Sequence, residues 1–233
     1  MNQVLNEMEQ RSRTLIVDIV SDLICPWCYI AKRRVEKTAA LLNQEIGIRW
    51  WPFELNANMP IDGLDRRTYR SAKFGSWAQS LKLDAQVADA GQEVGLMFRH
   101  DLMRRTPNTF RGHILLAAAL KDGLIKQNKV AERLFQAYFI NGEDVGDPVV
   151  LLGIAREFDV LTISRMDDFD NRALADEVTT QELQFSATVR GVPHISFDGQ
   201  VLANSAQRED FLASAILDIQ NLSGQCKDGV CGV

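Results

Sequence analysis

Hydrophobic and polar positions along the chain first follow a strand–helix–strand order. Residues 15–21 are rich in Ile and Val, which predicts a short buried strand. Apolar positions then recur near helical spacing over residues 29–42, and a second strand-like run follows at residues 46–53. The pattern predicts a βαβ unit whose Cys-Pro-Trp-Cys motif, at residues 25–28, lies where the first strand meets the helix.

The middle of the chain differs, because helical periodicity replaces the strand pattern. Residues 54–75 are polar and are expected to be irregular, and no strand signal of comparable strength follows before residue 188. The predicted helices are residues 76–95, 108–121, 127–139, 147–158 and 172–188. We therefore expect an all-helical insertion over residues 57–188.

The strand pattern returns after Gly191. Residues 194–198 and 200–204 are apolar runs on either side of Asp198-Gly199, a dipeptide typical of a tight hairpin. A last helix is predicted at residues 205–222. The expected organisation is one domain in two segments, an insertion and a flexible Cys-containing tail: residues 1–56 with 189–222, residues 57–188, and residues 223–233.

Composition and charge place the chain among ordinary globular proteins. Of its 233 residues, 46% are hydrophobic and 24% are charged, so a packed core needs neither disulfides nor metals to replace it. A net charge of −5 argues against a broad nucleic-acid surface. No apolar stretch approaches about 20 residues, and the polar N-terminus lacks the apolar run of a secretory signal. We therefore expect a cytoplasmic protein that binds neither nucleic acid nor membrane.

The four cysteines form two close pairs, Cys25/Cys28 and Cys226/Cys231. In a reducing cytosol, close pairs indicate redox or metal chemistry more often than structural bridges. A helix N-terminus at the first pair stabilises a thiolate, and two intervening residues let one helical turn bring both sulfur atoms within disulfide reach. A passive disulfide or half of a zinc site are the alternatives, and the βαβ context favours the redox role.

Two further features allow more than one interpretation. The second cysteine pair lies in a Gly-containing tail, where a small disulfide ring is expected to be labile and redox-active; unpaired thiols and soft-metal ligands are the alternatives. Val192-Pro193 taken alone is typical of an ordinary strand entry. Its position at the start of the closing ββα unit favours a cis-proline instead, which a tertiary amide tolerates.

The order of these motifs resembles the DsbA-like thioredoxin-fold family over most of the chain. Ser21-Asp22 before CPWC, Gly191-Val192-Pro193, and residues 204–207 are similar to the FrnE-type cytoplasmic branch of that family. The resemblance implies an α/β class and the thioredoxin fold (βαβ…ββα) with a large all-helical insertion. It also implies that Cys25 is the attacking nucleophile and that Cys28 is the resolving thiol.

The same resemblance assigns residues to the substrate side of the site. It implies that Pro193 is cis and faces the dithiol, and that Val192 offers backbone hydrogen bonds to a substrate chain. Pro26 and Trp27 are expected to form an apolar lip for polypeptides. His194 follows the proline, where many relatives have an apolar residue, and a core or edge histidine is favoured there over a proton shuttle.

The implied function is a thiol–disulfide oxidoreductase for protein or small-molecule disulfides, a DsbA-like protein disulfide oxidoreductase. Expected partners are disulfide-containing polypeptides or small thiols and a cellular thiol reductant or oxidant, and the expected assembly is a monomer or a homodimer. No metal or cofactor is expected beyond the redox-active dithiol, with glutathione as a candidate co-substrate. His100 and His113 are expected to be structural, because no Cys or acidic constellation surrounds them.

Two other functions stay open at this point. The related 2-hydroxychromene-2-carboxylate isomerases and kappa-class glutathione transferases share the element order, which allows a glutathione-dependent isomerase or transferase. Those enzymes typically carry Ser at the position of Cys25 and lack the second cysteine, so the residues here favour the oxidoreductase. The remaining alternative is a soft-metal-binding or holdase protein with both cysteine pairs as thiolate ligands.

Overall fold

The first strand, helix and second strand form as the sequence predicts. In the computed structural model, which describes residues 14–225, strand β1 is Leu15–Ser21 and helix α1 is Pro26–Leu42. Pro26 occupies the first helical turn, where its missing N–H has no intrahelical acceptor to lose. Strand β2 (Ile46–Pro52) pairs parallel with β1 and completes the βαβ unit.

A series of helices follows β2. The helices are α2 (Arg66–Phe74), α3 (Trp77–Glu93), α4 (Phe110–Lys121), α5 (Leu124–Gln136), α6 (Pro148–Glu157) and α7 (Arg172–Phe185). A π-helical turn, Ala137–Asn141, extends α5, and a 3-10 turn, Met166–Asp170, precedes α7. The predicted helices are confirmed, with ends that move by a few residues, and the structure adds α2.

Helix α2 shows that the expected irregular segment over residues 54–75 was wrong in its second half. Asp65 caps the helix by accepting the Thr68 N–H at 2.8 Å, and Gly75 ends it with a φ of 86°. Asp before the first turn and Gly after the last one are ordinary helix boundaries. The two signals were present in the sequence, but no apolar stripe connected them.

Ion pairs attach α2 to the neighbouring helix. Arg66 and Arg70 both bind Asp84 of α3, with N–O distances of 2.8 and 2.7 Å. The expectation that no strand interrupts the helical segment is also corrected, because Leu64–Asp65 pairs antiparallel with Arg105–Thr106 over two residues. A ladder this short leaves no periodicity to detect.

A hairpin extends the sheet on the other side of β1. Strand β3 (His194–Phe197) pairs antiparallel with β1, and β4 (Gln200–Ala203) pairs antiparallel with β3, which gives the order β2-β1-β3-β4. Asp198 and Gly199 both have positive φ, 50° and 75°, as a tight two-residue turn requires, so the predicted hairpin is confirmed. Helix α8 (Glu209–Gln225) closes the fold.

The sequence predicted that the last helix begins at residue 205. Helix α8 begins four residues later, at Glu209. The intervening residues form a turn in which the Gln207 N–H donates to the Ser205 carbonyl oxygen at 2.8 Å. Within residues 14–225, no helix has the length and hydropathy of a membrane span. The domain boundaries proposed from the sequence stay a prediction.

The insertion packs on the β2 side of the sheet. Helices α4, α5 and α7 contact β2, whereas α1 packs against α8 and α3. Trp50 of β2 is buried. Its backbone N–H and carbonyl groups both form hydrogen bonds with the side chain of Gln127 on α5. The Trp50 N–H donates to Gln127 Oε1 at 3.0 Å, and Gln127 Nε2 donates to the Trp50 carbonyl oxygen at 2.9 Å. The insertion is therefore tied to the sheet close to the strand ends that carry the CPWC motif.

Candidate active site

The CPWC motif occupies the first turn of α1. Cys25 is the N-cap residue, with the extended values φ −92° and ψ 107°, and its N–H donates to the Asp22 carbonyl oxygen at 3.0 Å. The Cys28 N–H closes the first turn on the Cys25 carbonyl oxygen, also at 3.0 Å. No side chain of the described residues caps α1. The partial positive charge of the helix N-terminus therefore faces the Cys25 sulfur.

The two thiols are close together but differ in their surroundings. Cys25 and Cys28 lie 3.4 Å apart, and both are free thiols. Cys25 keeps 5% of its surface exposed and Cys28 none. Burial raises the pKa of Cys28 well above its usual value; the hydrogen bond and charge of Cys25 add to this, as does the charge of Asp22, while the Asp22 backbone N–H opposes it. Cys28 is thus a protonated thiol behind a more accessible one.

The segment before β3 lies against Cys25. The Val192–Pro193 peptide bond is cis, as the resemblance implies, and the Cys25 thiol donates to the Val192 carbonyl oxygen at 3.6 Å. The fold therefore brings two motifs together that are far apart in the sequence. That Val192 binds a substrate chain and that Pro193 takes part in catalysis stay predictions.

Exposed apolar side chains flank the motif on its solvent side. Trp27 is 39% exposed and Pro26 is half-buried. Leu55 is also 39% exposed, and its N–H donates to Asp22 Oδ2 at 2.7 Å, which places it next to the loop before the motif. This surface fits the expected lip, although a role in substrate binding stays a prediction.

His194 is a buried member of the hairpin. Its Nδ1 lies 2.6 Å from Oδ1 of Asn204, the residue that follows β4. Since 6% of His194 is exposed, this contact accounts for a polar ring inside the sheet. The arrangement agrees with the preference for a core or edge histidine, and a role toward substrate stays a prediction.

Sequence reasoning missed a second set of polar residues behind the motif. Asp22 follows β1 and is fully buried, and His113 of α4 places its Nε2 3.7 Å from Asp22 Oδ1. The expectation that His113 has no acidic neighbour is therefore wrong. The reason is the packing of α4 over the βαβ unit, which periodicity does not reveal.

Two glutamates continue this set toward solvent. The Glu54 backbone N–H, just after β2, donates to Glu182 Oε1 of α7 at 2.8 Å, and both side chains are half-buried. Burial raises the pKa of Glu54 to about 7; the charges of Glu182 and Asp22 also raise it, while His113 lowers it. A carboxyl group in this state exchanges its proton near neutral pH.

Gly112 explains how α4 comes so close to the motif. A Cβ added there lies 2.3 Å from Leu23 Cδ1, closer than any real contact. The absent side chain lets α4 approach the loop between β1 and α1, which brings the next residue, His113, beside Asp22. Gly112 and His113 directly precede a run of Ile, Leu and Ala, and a glycine at this point of an apolar helix was the sequence signal for a close approach.

Cys226 and Cys231, the predicted secondary redox pair, lie outside the described residues 14–225, and so does most of the predicted tail. Among the described residues, no group of three or more His, Cys, Asp or Glu side chains is arranged to hold a metal ion.

Comparison with known proteins agrees with this architecture. The model of the family described as DSBA-like thioredoxin domain matches residues 16–217. The chain therefore belongs to this family of thioredoxin-fold proteins. Its fold is the DsbA-like thioredoxin fold with a helical insertion, as predicted.

Particular relatives are distant in sequence but cover most of the chain. The uncharacterized protein YwbO of Bacillus subtilis is 24% identical over 210 residues, which are 89% of this chain and 98% of YwbO. A probable DsbA oxidoreductase of Streptomyces coelicolor is 25% identical, with a TM-score of 0.78 over 89% of this chain and 90% of that one. The cytosolic disulfide reductase DsbM of Pseudomonas aeruginosa, solved with GSH, is 16% identical, with a TM-score of 0.58 over 88% of this chain and all of that one (100%).

Proposed function

We propose that this member of the family is a thiol–disulfide oxidoreductase that acts on protein or small-molecule disulfides through Cys25 and Cys28. The asymmetry of the pair carries the proposal. The two cysteines lie 3.4 Å apart, Cys25 at the uncapped start of α1 and Cys28 without any exposed surface. A substrate sulfur can reach Cys25 more readily than Cys28.

The reaction proceeds in two exchanges. The Cys25 thiolate attacks one sulfur of a substrate disulfide, so that a mixed disulfide forms and the other substrate thiolate leaves. Cys28 then gives up its proton and attacks the Cys25 sulfur; the Cys25–Cys28 disulfide forms and the second substrate thiolate leaves. The substrate gains two electrons and the dithiol loses two, which a thiol reductant later returns.

Several finer parts of the proposal concern partners and location. Glutathione is the proposed small-thiol partner, because the similarly folded DsbM was solved with GSH. Action in the cytoplasm is proposed because the similarly folded DsbM is a cytosolic disulfide reductase. Cys226 and Cys231 are proposed to relay electrons to the dithiol. Trp27, Val192 and Pro193 are proposed to bind an extended substrate chain.

Two variants, Cys25→Ser and Cys28→Ser, test the proposal. Both variants carry Ser at positions 226 and 231, so that only the dithiol reacts. Cys25→Ser is expected to abolish insulin disulfide reduction with glutathione as electron source, a loss of more than about 1,000-fold, because the nucleophile is removed. Cys28→Ser is expected to accumulate mixed disulfides with insulin, detected by mass spectrometry, because attack survives and resolution does not. Mixed disulfides on Cys28 of the Cys25→Ser protein would reverse the roles, and activity in both variants would contradict the proposal.

A further inference from the structure

Arg190 is an exposed cation between the end of α7 and the cis-proline segment. Its guanidinium donates to two backbone carbonyl oxygens at the end of α7, that of Ser186 at 3.1 Å and that of Ala187 at 3.5 Å. No carboxylate among residues 14–225 forms an ion pair with it. Because a guanidinium has five N–H donors, donors remain on Arg190 for a ligand.

The cations of the dithiol helix differ from Arg190 in this respect. Lys32, Arg33 and Arg34 follow the CPWC motif on α1, and each of them forms an ion pair with a glutamate. Arg190 has no such competitor for its charge within the described residues, so its attraction for an anionic ligand is not offset by a neighbouring carboxylate.

Arg190 also lies at the end of the sheet that carries Cys25. It precedes Val192 by two residues, which is at most about 7 Å between Cα atoms, and the Val192 carbonyl oxygen accepts the Cys25 thiol at 3.6 Å. The end of α7 is held at the same place, because Glu182 Oε1 accepts the Glu54 N–H at 2.8 Å just beyond the end of β2. Both attachments of Arg190 therefore place it at the rim of the candidate site.

Glutathione, the proposed small-thiol partner, is an anion at neutral pH, because it carries two carboxylates and one ammonium group. The protein has a net charge of −5, and the half-buried Glu54 and Glu182 lie at the same rim, so an anionic thiol needs a local cation there. The glycyl carboxylate of glutathione lies about two residue lengths, roughly 7 Å, from its sulfur. This span is similar to the one between Val192 and Arg190, and a guanidinium binds carboxylates with two parallel hydrogen bonds.

We propose that Arg190 binds a carboxylate of glutathione at Cys25 and selects this thiol over uncharged thiols. The proposal rests on the proposed function, in which a thiol returns two electrons to the Cys25–Cys28 disulfide. A first glutathione thiolate attacks the Cys25 sulfur, so that a Cys25–glutathione bond forms and the Cys25–Cys28 bond breaks. Cys28 leaves as a thiolate and takes up a proton. A second glutathione thiolate attacks the bound glutathione sulfur; oxidised glutathione forms and Cys25 leaves as a thiolate.

Reduction of the oxidised protein by two different thiols tests this selectivity. The protein, again with Ser at positions 226 and 231, is mixed with an excess of glutathione or of uncharged mercaptoethanol at neutral pH and low salt. Free protein thiols are alkylated after set times and counted by mass spectrometry. The rate of each variant is divided by the parent rate for the same thiol, which cancels the different reactivity of the two thiols themselves.

Arg190→Gln is expected to lower the rate with glutathione about 10-fold, because charge-assisted hydrogen bonds to the carboxylate are lost. The rate with mercaptoethanol should stay within about twofold of the parent rate. Arg190→Lys keeps the charge without the planar fork and should lose about threefold with glutathione. Arg172→Gln is the matched control, because it removes an exposed arginine from the first turn of the same helix, and it should leave both rates unchanged.

Each result decides a separate point. If Arg190→Gln changes both rates by the same factor, or changes neither, the proposal is overturned, because Arg190 then does not distinguish the two thiols. Equal losses with glutathione in the Arg190→Gln and Arg172→Gln proteins would overturn it as well, since net charge alone would explain them. Should Arg190→Gln not fold, the Arg190→Lys protein makes the same comparison. If neither thiol reduces the Cys25–Cys28 disulfide of the parent protein, the proposed function fails instead.

Discussion

Two buried aspartates, Asp84 and Asp22, have different partners for their carboxylate oxygens. Each carboxylate oxygen of Asp84, 6% exposed between α2 and α3, accepts a guanidinium N–H, from Arg66 at 2.8 Å and from Arg70 at 2.7 Å. Asp22 is fully buried, and its carboxylate oxygens accept the backbone N–H groups of Leu55 and Ile24, at 2.7 and 3.4 Å. A cation faces Asp22 only if His113 is protonated.

The two environments indicate different roles for Asp84 and Asp22. Arginine does not give up its proton in proteins, so Asp84 always lies between two positive charges. Asp22 instead lies 3.7 Å from the imidazole of His113, a group that is charged only when it is protonated. A buried carboxylate next to permanent cations stabilises an interface, whereas one next to titratable groups can take part in proton transfer.

The largest expected effect on stability comes from the replacement of Asp84. Asp84→Asn should lower the free energy of unfolding by about 3 kcal/mol, because it leaves the buried guanidinium of Arg66 without its counter-charge. Urea unfolding monitored by circular dichroism measures the loss. The reaction of Cys25 with dithiobis(nitrobenzoate) should be unchanged in the folded variant, since Asp84 belongs to the α2–α3 pair and not to the site.

The same substitution at Asp22 is expected to have a much smaller effect on stability. Asp22→Asn should change the free energy of unfolding by less than about 1 kcal/mol, because the amide oxygen still accepts the Leu55 N–H and no fixed cation loses its partner. Equal losses at positions 22 and 84 would mean that both aspartates are structural, and the comparison would then fail.

An intermediate effect is expected where α4 approaches the motif. Gly112→Ala places a methyl group against Leu23 and should lower the free energy of unfolding by about 2 kcal/mol through overpacking. Urea unfolding measures the loss. Gly153→Ala, on α6 with open space at the Cβ, is the control and should not lower the free energy of unfolding.

The smallest expected effect depends on pH. The pKa of Glu54 is about 7 in the folded protein and about 4.3 in an unfolded chain. The buried charge therefore destabilises the fold increasingly between these values and fully above pH 7. Glu54→Gln removes this effect and should stabilise the protein by about 1 kcal/mol at high pH, a modest value because solvent screens a half-buried group.

Unfolding at pH 8 and at pH 5 provides the measurement for Glu54. The gain should be larger at pH 8, since folded Glu54 is mostly protonated at pH 5 and the penalty is then small. A gain of the same size at both values would show that the substitution acts through packing and not through the carboxyl group.

The local part of the fold could be predicted from the sequence. An Ile- and Val-rich run defined β1 over Leu15–Ser21, and Asp198-Gly199 defined the hairpin turn, because both depend on neighbouring residues. Helix α2 was missed since charged contacts with α3 replace the apolar stripe that periodicity detects.

The candidate site was predictable only in part, for a similar reason. Only two residues separate Cys25 from Cys28, and the pair belongs to a known motif. The contact between Asp22 and His113 depends on how α4 packs over the loop after β1, which no spacing rule describes. Gly112 could indicate that another segment approaches α4 closely, but not that the segment carries Asp22.

The pairing of Gln127 with Trp50 has a consequence for association with other chains. β2 is an edge strand, and its backbone at Trp50 would otherwise offer the donor and acceptor pair that another polypeptide needs for strand addition. The amide of Gln127 occupies both groups and so imitates one residue of a neighbouring strand. The sheet is thereby closed at this position against the addition of a strand from another chain.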